Sequence, residues 1–393
     1  MRRMHRPAGG GGARATVVFC WGVMAAVLAS VIGCAGPSPA SRQRTAVSTN
    51  WLLSGYHVGV NVGVMSLLPG SARSPSGVAL VQLLRRQGIP LVRLMPPGEA
   101  RPGQSQAGAF RSLADGGLKA VFAELGSAHI HAILTLDGYH YPDGRPNHSA
   151  WGWRRGQGSY IRSAAAFTAD EDATLAEIRR QEGGRLPPQV VAIDVVNEPL
   201  VDPVNLRRLA QVVAALRGAS GLPVTIGGWH QAASTPGGAL RFSRPQATAQ
   251  VAPMEDFVSV HLYPDGLTRL SKETAHPGPY LPAVRAYLRT VLAQARGKLV
   301  FVEEFGGLNG LAPARAGGPT LGSAAHQRAV IDAVLQEMWA LRSRGVIGGT
   351  AWVLVPVRPG VACDPWSLIC YSPSVTLPAL ADLGAHHAST DGG

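Results

Sequence analysis

From residue 57 to residue 354 the chain alternates short, nearly continuous apolar runs with longer stretches whose apolar positions recur every three or four residues. The short runs are HVGVNVG (57–63), IPLVRLM (89–95), IHAILTL (130–136), VVAIDVV (190–196), LPVTIGG (222–228), FVSVHLY (257–263), KLVFVEE (298–304) and VIGGTAWVL (346–354). They are rich in β-branched residues and lack strict alternation, as expected of parallel strands covered on both faces. The longer stretches include GVALVQLLRRQG (77–88), LRRLAQVVAALRG (206–218) and HQRAVIDAVLQEMWALRSRG (326–345), which carry helical spacing and close on Gly. Residues 377–386 supply a last helix. Eight such units predict an α/β fold, a single (β/α)8 TIM barrel over residues 51–393. An open doubly wound sheet is the rival, but no GxGxxG or Walker A pattern follows the first strand.

A barrel of this kind gathers its chemistry at the C-terminal ends of its strands. Those ends are polar here. Strand 2 carries Arg93, and strand 3 is followed by Asp137, Tyr139, His140, Tyr141 and Asp143, then Trp151 and Trp153. Strand 4 ends in Asn197-Glu198-Pro199 and strand 5 in Trp229-His230. Strand 6 offers His261 and Tyr263, strand 7 Glu303-Glu304, and strand 8 Trp352. Two carboxylates facing each other across one mouth are what glycosidic cleavage requires. One is protonated to release the leaving oxygen; the other is ionised to attack or to activate water. Aromatic faces suit the apolar C–H edges of sugar rings.

On these residues the chain resembles glycoside hydrolase clan A, family 5 in particular. Val196-Asn197-Glu198-Pro199 resembles the strand-4 motif, which implies Glu198 as acid/base and Asn197 as the holder of the sugar 2-hydroxyl. Phe301-Val302-Glu303-Glu304-Phe305-Gly306 resembles the strand-7 motif, which implies Glu304 as nucleophile. Ser259-Val260-His261-Leu262-Tyr263-Pro264 matches the strand-6 pattern, Leu91-Val92-Arg93-Leu94 the strand-2 one, and Ala351-Trp352 the strand-8 aromatic beneath the cleaved sugar. The resemblance covers nearly all of residues 55–360. Strand 3 departs from it, because Asp137-Gly138-Tyr139-His140 sets the His three residues after the Asp instead of two.

Simple alternation sets Glu303 and Glu304 on opposite faces of their strand. The resemblance selects Glu304 for the mouth and leaves Glu303 as a helix-side acid paired with an Arg. Arg93 is read either as an electrostatic bridge between strands or as the cation that would keep Glu304 ionised, and the Tyr263 hydroxyl could serve the same end. His140 and His261 are read as sugar contacts or structural hydrogen-bonders, Asp194 as part of a buried polar network, and Trp352 as a stacking platform. Trp151, Trp153 and Trp229 fit stacking or packing alike, and Trp339 fits packing. No HExxH or comparable spacing appears, so neither a metal nor another cofactor is expected.

The resemblance implies a retaining, endo-acting β-glycosidase. The His261–Asp265 and Glu303–Gly306 segments look most like β-mannanases, with β-glucanases sharing the frame. A transglycosylase, a catalytically silent carbohydrate-binding lipoprotein and an envelope scaffold are the other readings.

The N-terminus changes where this chemistry belongs. Arg2, Arg3, Arg6 and Arg14 precede an apolar run from Thr16 to Ile32, and Val31-Ile32-Gly33-Cys34 follows, with no acid among them. This resembles a bacterial lipoprotein signal: residues 1–33 as leader, Cys34 as the lipidated residue, and residues 34–50 as a small, polar tether. An ordinary signal peptide or an uncleaved anchor is the alternative. The expected location is outside the cytoplasm on a membrane. Cys363 and Cys370 remain, and in an exported chain they are expected to pair as a disulfide.

Charge adds little. The formal charge of +12 falls to +8 without the leader, all but three of the 36 basic residues are Arg, and they are scattered. Nucleic acid is therefore not an expected partner. The expected partners are a β-linked glycan and a lipid anchor, with the chain acting as a monomer.

Overall fold

The computed structural model describes residues 50–68, 77–97, 105–113, 117–138, 151–153, 159–161, 163–231, 243–268, 274–313, 320–355, 367–369 and 378–388. Eight strands form one sheet: β1 (His57–Gly63), β2 (Leu91–Met95), β3 (His131–Asp137), β4 (Val190–Asn197), β5 (Val224–Gly227), β6 (Val258–Leu262), β7 (Val300–Phe305) and β8 (Val346–Leu354). All neighbours are parallel, in the spatial order β6-β7-β8-β1-β2-β3-β4-β5, so β8 returns beside β1 in a nearly closed TIM barrel. Each strand coincides with one of the apolar runs. The leader, residues 34–49 of the tether (Cys34 among them) and both remaining cysteines, Cys363 and Cys370, lie outside the described residues, whereas Asn50 belongs to the barrel.

Among the described residues seven longer helices accompany the strands: α1 (Gly77–Arg86), α2 (Gly117–Ser127), α3 (Ala164–Gln181), α4 (Pro203–Ser220), α5 (Leu281–Gln294), α6 (Ala324–Ala340) and α7 (Pro378–Ala388). Their starts are set by local chemistry. Asp202 caps α4 by accepting from the Val204 and Asn205 N–H groups (2.9 and 3.0 Å), with Pro203 in the first turn. Ser163 and Ser323 cap α3 and α6 in the same manner. The regular repeat fails at one point: between β5 and β6 the described residues show a two-residue strand (His230–Gln231), a 3-10 turn (Pro245–Ala247) and a one-turn helix (Thr248–Val251), with no longer helix among them.

The same interval is where the sheet has its two edges, β5 and β6. The Asp256 N–H donates to Val224 O (2.9 Å), and side chains continue the closure. Thr225 Oγ1 donates to Phe257 O (3.1 Å), Ser259 Oγ donates to Ile226 O, and the Gly228 N–H donates to Ser259 Oγ (3.2 Å). Glu255 Oε1 accepts from Thr225 Oγ1 (2.8 Å) and the Ile226 N–H (3.2 Å). Hydroxyls thus satisfy backbone groups that a ladder would otherwise pair. Burial pushes the Glu255 carboxyl up to about 8, against the Thr225 and Ile226 hydrogen bonds that pull it down.

At the N-terminal end of the strands Leu52, Leu91, Ile133, Val191, Ala192, Phe257, Phe301 and Ile347 pack into their own apolar cluster. Trp51 covers it, stacked on His57 and His131 with centroids 3.6 and 4.0 Å away. Asn50 fixes this cover, its side chain capping Leu52 N (3.0 Å) and donating to Val191 O (2.8 Å). Among the described residues no helix is long and apolar enough to cross a membrane.

Candidate active site

Two local departures from strand geometry build the mouth. On β7, Val302 pairs with Gly349 and Phe305 with Ala351, so Glu303 and Glu304 together span the single residue Thr350. The β6 side shows the same slip, with Val260 opposite Val302 but His261 opposite Glu304. This is a β-bulge, which releases consecutive residues from alternation. The bulged Glu303 carbonyl accepts from Asn61 Nδ2 (3.0 Å) and from Thr350 Oγ1. At the end of β4, Glu198 adopts φ +51°, a conformation rare for a residue with a Cβ, and its N–H donates to Gly227 O (2.7 Å). The kink lets Asn197 and Glu198 both serve the mouth.

Arg93 is the fully buried hub. Its Nη1 donates to Glu304 Oε1 (2.6 Å) and Asn61 Oδ1 (3.1 Å), and its Nη2 to Asp194 Oδ2 (2.6 Å) and Asn197 Oδ1 (2.8 Å). Its Nε donates to Asp194 Oδ2 (3.0 Å) and lies 3.3 Å from Glu303 Oε1. Thr135 Oγ1 adds a hydrogen bond to Asp194 Oδ2 (2.8 Å). Burial alone works against a charged guanidinium, but Glu303, Asp194 and Glu304 outweigh it and hold Arg93 firmly protonated. Burial and the Glu303 charge push the Asp194 carboxyl up to about 7, while Arg93 and Thr135 oppose the rise.

Glu304 is held from two sides, by Arg93 on Oε1 and by the Tyr263 hydroxyl on Oε2 (2.8 Å). His261 sits between the acids, its Nδ1 3.1 Å from Glu198 Oε1 and 3.3 Å from Glu304 Oε2. Burial works against a charged His261 ring, but the Glu304 charge and the Glu198 and Glu303 carboxylates raise it to about 9. An oxygen of Glu198, an oxygen of Glu304 and a ring nitrogen of His261 lie within 4.8 Å of one another. That spacing alone would admit a cation. The donor set argues otherwise, because Arg93 and Tyr263 already occupy both oxygens of Glu304 and a guanidinium stands where a metal's charge would be repelled.

The structure therefore brings Arg93, Asn197, Glu198, His261, Tyr263 and Glu304 into one cluster. Trp352 is half-buried towards the C-terminal end of β8, and its peptide bond to Val353 is cis. His140 lies outside the described residues. Trp151 and Trp153 belong to a short antiparallel pairing of Trp151–Trp153 with Ser159–Ile161. Trp229 is fully buried and its Nε1 donates to Arg244 O (3.3 Å), so it packs. Trp339 meets Tyr56 edge-on at 5.2 Å.

Glu303 corrects the reading from simple alternation. It is not a helix-side acid; the bulge turns it into the barrel, where the Arg beside it is the hub itself. Asn61 was also missed, although a single Asn in an otherwise apolar buried strand is a usable signal. So is the pair Gly227-Gly228. A Cβ on Gly227 would stand 2.6 Å from Arg93 Nη2, and one on Gly228, at φ +62°, 2.5 Å from the His261 ring. These glycines leave the room that the hub and the imidazole fill.

The sequence matches no family model and no curated protein. Solved structures do resemble it. A β-glucuronidase from an uncultured Clostridium shares 14% identity at TM-score 0.55 over 85% of this chain and 50% of that one. An endo-β-1,4-mannanase from Thermotoga petrophila shares 15% at TM-score 0.53 over 84% and 76%. A β-D-glucuronidase of Dictyoglomus thermophilum shares 14% at TM-score 0.52 over 85% and 50%. The chain spans about half the length of these glucuronidases. At such identities the likeness establishes the barrel.

Proposed function

We propose that the chain is a retaining β-glycosidase in which Glu304 is the nucleophile and Glu198 the acid/base. The observation that carries this reading is that one oxygen of Glu198 and one oxygen of Glu304 lie within 4.8 Å of each other across the mouth, with Glu304 bound by Arg93 and Tyr263. Retaining glycosidases set their carboxyl groups roughly 5–5.5 Å apart, whereas inverting ones leave about 6.5–9.5 Å for a water. The first step forms a bond from a Glu304 oxygen to the anomeric carbon. The glycosidic bond breaks, and the proton of Glu198 goes to the departing oxygen. In the second step Glu198 takes a proton from water, whose oxygen replaces Glu304 on the sugar. Arg93 and Tyr263 donate to the attacking carboxylate in its ionised state, and Asn197, anchored by Arg93, is set to meet the sugar beside the scissile bond.

The proposed substrate is a β-linked glycan cleaved within the chain, β-mannan before β-glucan. The strand-6 and strand-7 motifs support it, as does the likeness to a barrel described as an endo-β-1,4-mannanase. The N-terminal pattern supports export and lipidation at Cys34, with a disulfide between Cys363 and Cys370. Residues 51–393 should cleave one polymer of a panel of β-mannan, cellulose, mixed-linkage and β-1,3-glucans, releasing the β-anomer first by NMR. Release of the α-anomer would overturn the double displacement. Silence of the folded protein on every polymer would favour the transglycosylase or the binding protein. Radiolabelled fatty acid should enter the full chain and be lost in Cys34→Ser.

A further inference from the structure

Glu303 has no part in the chemistry proposed above, yet it is fully buried in the mouth. Its Oε1 has an ion-pair contact with Arg93 Nε (3.3 Å), but neither carboxylate oxygen has a hydrogen-bond partner, and neither does His261 Nε2. Glu303 Oε2 and His261 Nε2 face each other at 3.8 Å. The opposite ring nitrogen, Nδ1, meets Glu198 and Glu304 at 3.1 and 3.3 Å. A neutral imidazole carries one N–H and one lone pair. With carboxylates at both ends, a neutral ring would aim that lone pair at an acid in a site without water-like screening. The doubly protonated ring turns an N–H towards an acid at each end, as a hydrogen bond at Nδ1 and as an ion pair at Nε2.

The geometry points to Glu303 as a positioning residue that holds His261 as an imidazolium, so that one Nδ1–H serves Glu304 and Glu198 in turn. This inference rests on the roles proposed for Glu198 and Glu304 and adds a device to them. Before attack the negative charge lies on Glu304; after proton donation it lies on Glu198. A donor set almost equally far from both follows that charge without a heavy-atom movement, which is the kind of preorganisation that lowers barriers. The charged groups around the ring are Glu198 from the end of β4, Glu303 and Glu304 from β7 and, beyond them, Arg93 from β2. The nearby hydroxyls are engaged elsewhere, Tyr263 on Glu304 and Tyr287 on the backbone carbonyls of Ser243 and His261. Gly228 leaves the ring's remaining flank open to it.

The test is a ring-nitrogen NMR titration of the histidines in the folded protein, with His261 assigned by its loss in His261→Gln. In the wild type His261 should stay doubly protonated through neutral pH and titrate at about 9. In Glu303→Gln the midpoint should fall towards the ordinary imidazole range, and in Glu303→Asp it should fall less. Circular dichroism melts identify any variant that does not fold. A wild-type ring that is singly protonated at neutral pH, or a midpoint untouched by both substitutions, would overturn the inference. None of these readouts needs turnover, so a glycosidase that retains its activity while His261 proves neutral would refute this device alone. Where activity is present, Glu303→Gln should lower kcat and move the alkaline limb of its pH profile down, with little change in KM.

Discussion

The two ends of the barrel are built from the same eight strands and spend them oppositely. At the N-terminal end the strand residues are Leu91, Ile133, Val191, Phe301 and Ile347, joined by Leu52 and Phe257 under the Trp51 cover. Phe257 and Phe301 meet edge-on at 6.2 Å. At the C-terminal end Asp194, Glu198, Glu303 and Glu304 crowd around Arg93 and His261. The floor gains its stability from apolar burial, which has no directional requirement. The mouth holds more acids than cations, so it persists only because every charge is placed against a partner. One end tolerates substitution of like volume; the other depends on individual atoms.

The sharpest way to break the comparison is to change one atom at the mouth. Glu304→Gln should abolish glycan cleavage by on the order of 10^4-fold, since a nucleophile is lost whole. The variant should still melt near the wild type, because one charge leaves a cluster rich in acids. A variant that keeps a tenth of the activity would remove Glu304 from its proposed role.

Arg93→Met tests whether the mouth is free of structural duty. Removing the buried cation leaves Asp194 and Glu304 uncompensated, and urea unfolding should show a loss of about 3–5 kcal/mol together with loss of activity. Phe301→Ala on the floor should cost a similar amount, about 3–5 kcal/mol, by leaving a cavity. Its kcat per folded molecule should be unchanged. Should Phe301→Ala lower kcat tenfold in the folded fraction, the two ends would have to be treated as one unit.

A smaller effect comes from pH. Asp194, Glu255 and His261 are raised to about 7, 8 and 9, so each binds its proton more tightly in the folded chain than in the unfolded one. Each contribution is complete below the group's ordinary value and is lost as pH rises through the folded one. The melting temperature should therefore fall from about pH 6 to about pH 9. Glu255→Gln should flatten the middle of that slope. A melting temperature that rises across this interval would contradict the assignment.

Much of this was legible before any coordinates. The strands were readable because parallel strands buried on both faces write themselves as unbroken apolar runs, and the polar residues at their ends stood out against them. Glu198, Arg93 and Tyr263 stand out in that way, and it is the family resemblance that singles out Glu304 from Glu303. The place of Glu303 in the mouth was not legible, because alternation assumes a regular strand and a bulge leaves no periodic trace. Asn61 stands out among the apolar residues of HVGVNVG, but lying mid-strand it escapes a reading confined to the strand ends. The lack of a long helix after β5 among the described residues was hidden for another reason: repetition elsewhere in the chain suggested one. What replaces it is a set of single hydroxyl contacts, from Thr225 and Ser259, whose residue types are unremarkable in any strand.

Those contacts give the barrel an axis of weakness. A barrel stitched all round by backbone ladders must unravel from its ends, but here β5 and β6 can part once a few side chains let go. Amide protons along that join should exchange with solvent through the cheapest sub-global opening of the molecule, ahead of those in β1 to β3. Gly228 and His261 lie on its two lips, so the same event that admits solvent also loosens the imidazole from its carboxylates. The first step towards unfolding is therefore also the first step in dismantling the mouth, and loss of the proposed activity on warming should precede loss of the barrel.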